Sequence, residues 1–270
     1  MKALILYHGD CTDGFTAAWA ARKKLGDDAE CAPVHYGQPP PDCAGRDLHI
    51  LDFSYPRAVM EELIRQCASI TVLDHHKTAA AELAGLETAG TILFDMARSG
   101  AMMAWQHYCP SEPPPPLVQY VQDRDLWKWE LPKSREYSAA IASYPKDWQT
   151  WDTLAAAAPS ALISDGEAIL RYQAGVVENA VRKAAPALLG EHRVLCTNCT
   201  TLISEVAGRL AEGRPFGVTY FVRSDGKWIY SLRSDASGLD VSLIAKSHGG
   251  GGHPRAAGFE SNGPAHKEIA

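Results

Sequence analysis

Three times in the first hundred residues a short apolar run ends in an acidic residue and is followed by a helix-like segment rich in alanine and leucine. Residues 3–7 lead into His8 and Asp10, 48–51 into Asp52, and 70–73 into Asp74, His75 and His76. Helical patterns are expected after each, over 14–25, 56–67 and near 78–83. Pro56 suits a first helical turn, where its missing N–H leaves no bond unmade. Strands alternating with helices in this way predict a parallel α/β sheet.

The run Ser111-Glu112-Pro113-Pro114-Pro115-Pro116 cannot continue a helix and predicts a stiff, exposed connector. A helix over 117–127 follows, carrying Asp123 and Asp125, and then an alanine-rich helical stretch through Ala185. Pro186 and Gly190 close that stretch, so the expected domains are 1–186 and 192–270, joined by a linker at 187–191. The second part changes character. A strand over 193–196 and a helix over 204–211 precede two strand-like runs, 216–223 and 227–233, around Ser224-Asp225-Gly226, a strong hairpin signal. Asp240 is placed to cap a helix over 241–246, which ends in His248 and a glycine run reaching His253. The expectation is a smaller α+β domain facing the first across a cleft.

Composition narrows the function. The 270 residues are 46% hydrophobic and 21% charged, an ordinary globular balance, and 26 basic against 32 acidic side chains leave a formal charge of -6. That charge argues against long duplex nucleic acid as a partner and leaves short anionic substrates open. The first apolar run is too short for a signal peptide or a membrane span, so a cytoplasmic protein without a membrane partner is expected. Seven cysteines without a framework fit a reducing compartment. Cys196 and Cys199, lacking a second pair, read as a strand end and turn.

Ligands of parallel α/β sheets bind beyond the carboxyl ends of the strands, where His8, Asp10, Asp13, Asp52, Asp74, His75 and His76 would gather. Each acid taken singly could cap a helix. Acid at three successive strand ends, with histidine at two, points instead to one shared site. Crowded carboxylates resist ionisation unless a cation compensates, and carboxylate with imidazole suits Mn²⁺, Fe²⁺, Co²⁺ or Zn²⁺.

Tyr7-His8-Gly9-Asp10-Cys11-Thr12-Asp13-Gly14, Leu51-Asp52-Phe53-Ser54 and Asp74-His75-His76 resemble, in order, the first three motifs of the DHH phosphoesterase superfamily. Tyr230 to Ser234, Asp240-Val241-Ser242 and Gly249 to Phe259 resemble the DHH-associated substrate-binding domain of its nanoRNase and RecJ branch. The resemblance implies a DHH domain with two Mn²⁺ ions, Mg²⁺ or Co²⁺ being alternatives. It implies that His8, Asp10 and Asp52 hold one ion, and that Asp13, Asp52, His75 and an acid of the fourth motif hold the other. Asp123 is favoured for that acid, with Asp125 as competitor. Asp10 and Asp13 stand three apart, where the family's acids are two apart. His76 would contact the scissile phosphate, with Asp74 orienting its neighbouring histidine. Arg233, Gly250, Gly251, Gly252, His253 and Arg255 would bind substrate, the glycine amides forming an anion nest.

The function expected is metal-dependent hydrolysis of phosphoester bonds in oligoribonucleotides, dinucleotides or nucleoside bisphosphates. The alternatives are a RecJ-like single-strand exonuclease and a nucleotide-binding protein that keeps the fold without the reaction. A homodimer is compatible with the sequence. Trp127, Trp129, Trp148 and Trp151 are candidates for base stacking or for core packing, and Met102 and Met103 read as core.

Overall fold

A computed structural model describes residues 2–9 and 11–269, so Asp10 lies outside the described residues. The chain forms two compact units, Met1–Ile169 and Leu170–Ala270. In the first, β1 (Ala3–His8) feeds α1 (Thr12–Leu25), which returns the chain to β2 (Glu30–Val34) on one side of β1. On the other side β3 (Asp47–Leu51), α2 (Arg57–Gln66), β4 (Ser69–Asp74), α3 (Lys77–Glu82) and β5 (Thr91–Phe94) build outward. The order is β2-β1-β3-β4-β5, all parallel.

Side chains alternate between the faces of a strand, so the sheet feeds two cores. Leu4, Leu6, Leu48, Ile50, Ile70 and Val72 pack with Met60 and Leu63 of α2. Ile5, Leu51 and Leu73 pack with Phe15 and Trp19 of α1 and with Met102, Met103 and Trp105 of α4 (Gly100–Tyr108). Both faces are thereby covered, as a parallel sheet requires.

The chain continues through α5 (Pro116–Asp125), α6 (Ser134–Ala142), α7 (Trp148–Ala156) and α8 (Pro159–Arg182). The single helical stretch expected through Ala185 is thus three helices, and Ala185 itself belongs to a strand. Alanine raises helix propensity everywhere but does not say where helices stop. The Asp147 side chain caps α7 by accepting from Thr150 N, and Pro159 opens α8. Trp151 is buried with its Nε1 on Thr16 Oγ1, and Trp148 stacks on Phe15, which makes both core residues.

The second unit holds a mixed seven-stranded sheet. β6 (Ala185–Leu189) and β7 (His192–Asn198) form a hairpin that turns at Gly190 (φ 60°). α9 (Ile203–Ala211), β8 (Gly217–Val222), β9 (Trp228–Arg233), α10 (Val241–Ser247), β10 (Gly251–His253), β11 (Ala256–Ser261) and β12 (His266–Glu268) complete it, in the order β10-β11-β9-β8-β7-β6-β12. The linker expected at 187–191 falls on this first hairpin, where 185–189 pair in register with 192–196. Pro186 and Gly190 mark a strand and its turn, not an open connector. The hairpin expected at Asp225-Gly226 joins β8 and β9, with Gly226 at φ 83°. Phe216, Val218, Tyr230, Leu232, Val241 and Phe259 form the core of this unit. Among the described residues no helix is long and apolar enough to cross a membrane.

Candidate metal centre

The chain leaves β1 toward β2 on one side and comes back as β3 on the other, and such a reversal opens a crevice at the carboxyl ends of the two strands. His8 ends β1, Asp52 follows β3 directly, and Asp74 ends β4. Asp52 adopts φ 55°, a left-handed conformation that is uncommon for a residue with a side chain and concentrates at functional positions. Its carboxylate is buried, with Oδ2 3.6 Å from His8 Nδ1 and Oδ1 3.0 Å from His75 Nε2.

Asp13 lies in the first turn of α1, where the helix N-terminus favours an acid. It is 1% exposed and accepts hydrogen bonds from Gly100 N (2.6 Å) and Ala101 N (3.1 Å), the first residues of α4. A Cβ at Gly100 would stand 2.5 Å from Asp52 Cβ and 2.9 Å from Asp13 Oδ2, so only glycine lets α4 begin here. The sequence around Ser99-Gly100-Ala101 carries no sign of this role. An Asx or Ser cap beside a glycine gives no signal of what the helix start will touch.

Asp74 is fully buried and organises its neighbours. Its Oδ1 accepts from His75 N (2.7 Å), His76 N (3.2 Å) and His76 Nδ1 (2.6 Å), and its Oδ2 accepts from Ser54 Oγ (2.6 Å). An ionised carboxylate only accepts, so His76 carries hydrogen on Nδ1 and its Nε2 becomes the position whose proton comes and goes.

Of the two acids at the end of α5, the structure brings Asp125 to the cluster and turns Asp123, the one favoured from the sequence, away from it. Residues two apart on a helix point about 200° apart around its axis, so one of the pair must face away. Asp123 turns to the following loop and accepts from Glu130 N (3.0 Å) and Leu131 N (3.3 Å). Asp125 Oδ2 stands 3.5 Å from His75 Nε2 and is a buried atom without a hydrogen-bond partner. Among the described residues three donor sets result, each with its ligand atoms within 4.8 Å of one another: His8, Cys11 and Asp52; Asp52, His75 and His76; and Asp13, His75 and Asp125. Cys11, the residue just before α1, was not anticipated. Tyr36, from the loop after β2, was also missed: its ring lies 5.4 Å from that of His8 and 6.3 Å from that of His76.

Electrostatics tests whether cations fit. Burial, then the charges of Asp52 and Asp125, pushes the Asp13 carboxyl well above its ordinary range. Asp125 is raised by burial and by Asp52. The Asp52 carboxylate 3.6 Å away, and then Cys11, push His8 up to about 10 against the effect of burial. Burial alone would lower His75, but the bond to Asp52 and the charges of Asp125 and Asp13 carry it to about 9. Protons are thus bound tightly where acids crowd, and divalent cations satisfy the same need. Carboxylate, imidazole and thiol donors together fit a transition metal better than Ca²⁺.

In the second unit the predicted substrate residues divide. Arg233, half-buried at the end of β9, donates to Leu232 O (2.9 Å) and Ser204 Oγ (2.8 Å). Gly251, Gly252 and His253 form the exposed edge strand β10, paired with β11. Two amides of the glycine run are engaged within the fold. Gly249 N and Gly250 N are taken by Lys246 O and Ala245 O at the end of α10, and a Cβ at Gly250 would stand 2.2 Å from Gly258 O. Arg255 donates to Ala236 O (3.0 Å) and Gly238 O (2.7 Å), closing the loop at 234–238.

Residues 200–269 match the DHHA1 domain family. Uncharacterized protein R106 of Acanthamoeba polyphaga mimivirus is 29% identical over 286 residues, spanning 96% of this chain and 68% of the relative. Among solved structures, the pGpG-specific phosphodiesterase PggH from Vibrio cholerae superposes with a TM-score of 0.55 at 11% identity, over 96% of this chain and 93% of that one. RecJ from Thermus thermophilus in complex with Mn²⁺ gives 0.53 at 17% identity, over 96% of this chain and 49% of its own length. The DHH domain of a member of the s1p family of ribosomal proteins gives 0.51 at 12% identity, over 95% and 82%. The C-terminal residues thus match the DHHA1 domain family, and the chain shares its fold with these three structures, one of them a DHH domain.

Proposed function

We propose that the chain is a phosphoesterase that hydrolyses short nucleotide substrates at two divalent cations, with Mn²⁺ as the working metal. One observation carries this reading: Asp52 turns its two oxygens toward two different donor sets, the arrangement expected of a bridging ligand. His8, Cys11 and Asp52, together with Asp10 if the resemblance of its motif holds, would hold one cation; Asp13, Asp52, His75 and Asp125 would hold the other. Bound divalent cations supply Lewis acidity and a water acidified toward neutrality.

The remaining work falls to the chain. Asp13, fixed by the amides of α4, and Asp52, fixed by its left-handed backbone, hold the ligand geometry without reorganisation. The bond to Asp74 raises the His76 pKa against the effect of burial, which favours a proton on its Nε2. That N–H would donate to a phosphoryl oxygen and supply the proton to the departing oxygen as the bond from phosphorus breaks and water's oxygen takes its place. Arg233, Gly251, Gly252 and His253 are proposed to bind the part of the substrate that is not cleaved. A PggH-like fold and the short-substrate expectation from charge support dinucleotides among the substrates.

The test is a Mn²⁺-dependent screen of linear dinucleotides, short RNAs and nucleoside bisphosphates, together with metal analysis. Turnover of at least one class, lost with its bound metal in Asp52→Asn, is the expected result. Metal-saturated protein that turns over none of them, or undiminished activity in Asp52→Asn, overturns the proposal.

A further inference from the structure

Tyr36 is 58% exposed, whereas the neighbouring aromatics Phe53 and Tyr55 are buried at 1% and 3%. It nevertheless has a defined place. Its ring packs on Phe53 at 4.8 Å and 35°, and lies edge-on to His8 at 67° and to His76 at 83°. The histidines that border it belong to the donor sets around Asp52. One part of the ring is therefore anchored on core and centre, and the rest faces solvent at the rim of the site. A solvated tyrosine can stand anywhere on a surface, but this one stands within the length of a single nucleotide from the groups that would hold the scissile phosphate.

We propose that Tyr36 is the stacking platform for the substrate's nucleobase, so that the centre selects esters carrying a flat aromatic base next to the cleaved bond. This rests on the phosphoesterase reading and names the substrate feature that the same site would read. Base-on-aromatic stacking tolerates sequence and needs only an accessible ring face held at a fixed distance from the phosphate. Trp127, 71% exposed at φ 57° and packed edge-on against Trp129, is the rival platform. Tyr36 has ring contacts with two histidines of the centre, whereas the ring contact of Trp127 is with Trp129.

The experiment measures the fluorescence of 2-aminopurine ribonucleoside monophosphate titrated with Mn²⁺-loaded full chain, wild type and variants whose melting curves match it. Stacking quenches this base. Wild type is expected to quench it, Tyr36→Phe to quench nearly as well because the ring remains, and Tyr36→Ala to require about tenfold more protein. In turnover, Tyr36→Ala should raise KM for a dinucleotide about tenfold more than for an abasic analogue with the same phosphodiester. Absence of quenching in wild type, equal losses on both substrates, or loss of quenching in Trp127→Ala with retention in Tyr36→Ala overturns the assignment. If wild type cleaves the abasic analogue, the phosphoesterase reading survives that failure. If it cleaves neither substrate, that reading fails while quenching still decides the platform.

Discussion

Asp123 and Asp125 show how two identical side chains on one helix acquire different work. Asp125→Asn should reduce Mn²⁺ affinity and turnover together, since its unpartnered Oδ2 lies beside His75. Asp123→Ala should instead leave metal binding intact and lower stability by about 1–3 kcal/mol, because two N–H groups of the loop lose their acceptor. Calorimetric Mn²⁺ titration and thermal melts of both variants separate the cases, and metal loss in Asp123→Ala alone would reverse the assignment. A second expectation concerns pH. His8 and His75 sit near 10 and 9 in the metal-free fold, above the ordinary 6.5. Their contribution to stability is then fully present below about pH 6.5 and is lost as pH rises through 9 to 10. The raised Asp13 and Asp125 act in the same direction, and the lowered Asp52, pulled down by its two histidines against burial, opposes them. Metal-stripped protein should melt at progressively lower temperature across that window, and Mn²⁺ should restore it most at the alkaline end, where fewer protons compete. A flat melting profile in chelator would contradict the crowding of acids on which the centre depends.

At the scale of elements, the start of α4 is the most exacting feature. Gly100→Ala places a methyl group against Asp52 Cβ and Asp13 Oδ2, two atoms of the proposed ligand frame. A shift of the order of 1 Å there should lower turnover about 100-fold while leaving most of the fold intact. Turnover within twofold of wild type, measured with saturating Mn²⁺, would show that α4 can retreat freely. The sequence made β1, β3 and β4 legible because their apolar runs end in acid, and the motifs at those ends carry His8, Asp13, Asp52, Asp74, His75 and His76, which the fold draws together. It hid β2, a five-residue edge strand containing Pro33, and β5, four residues long at the other edge. Edge strands need fewer buried side chains, so periodicity does not announce them. The contributions of Gly100, Cys11 and Tyr36 were hidden for a different reason. They arise from which helix start and which loop meet the strand ends, and that is set by tertiary packing.

On the scale of the whole chain, the metal centre and the base platform are proposed for the first unit and the grip on the uncleaved part of the substrate for the second, a division that can be tested without knowing their mutual arrangement. His75 binds Asp52 in the first unit, while Arg233 ends a strand of the second and is held to Ser204 by one of its terminal nitrogens. Removing the imidazole in His75→Ala should strip metal and abolish turnover. Removing the guanidinium in Arg233→Ala should leave metal content at the wild-type level and raise KM about tenfold with a smaller change in kcat, as expected when a group contributes binding that is uniform between ground and transition states. Burial holds the Arg233 guanidinium below its usual range, but it stays charged at neutral pH, since arginine does not lose its proton in proteins. Arg233→Lys keeps charge without the planar fork, so it should recover only part of the lost affinity. Metal analysis and steady-state kinetics on the three variants decide between the possibilities. Equal metal loss in Arg233→Ala and His75→Ala would mean that the second unit shapes the centre itself, and the separation of roles would have to be abandoned.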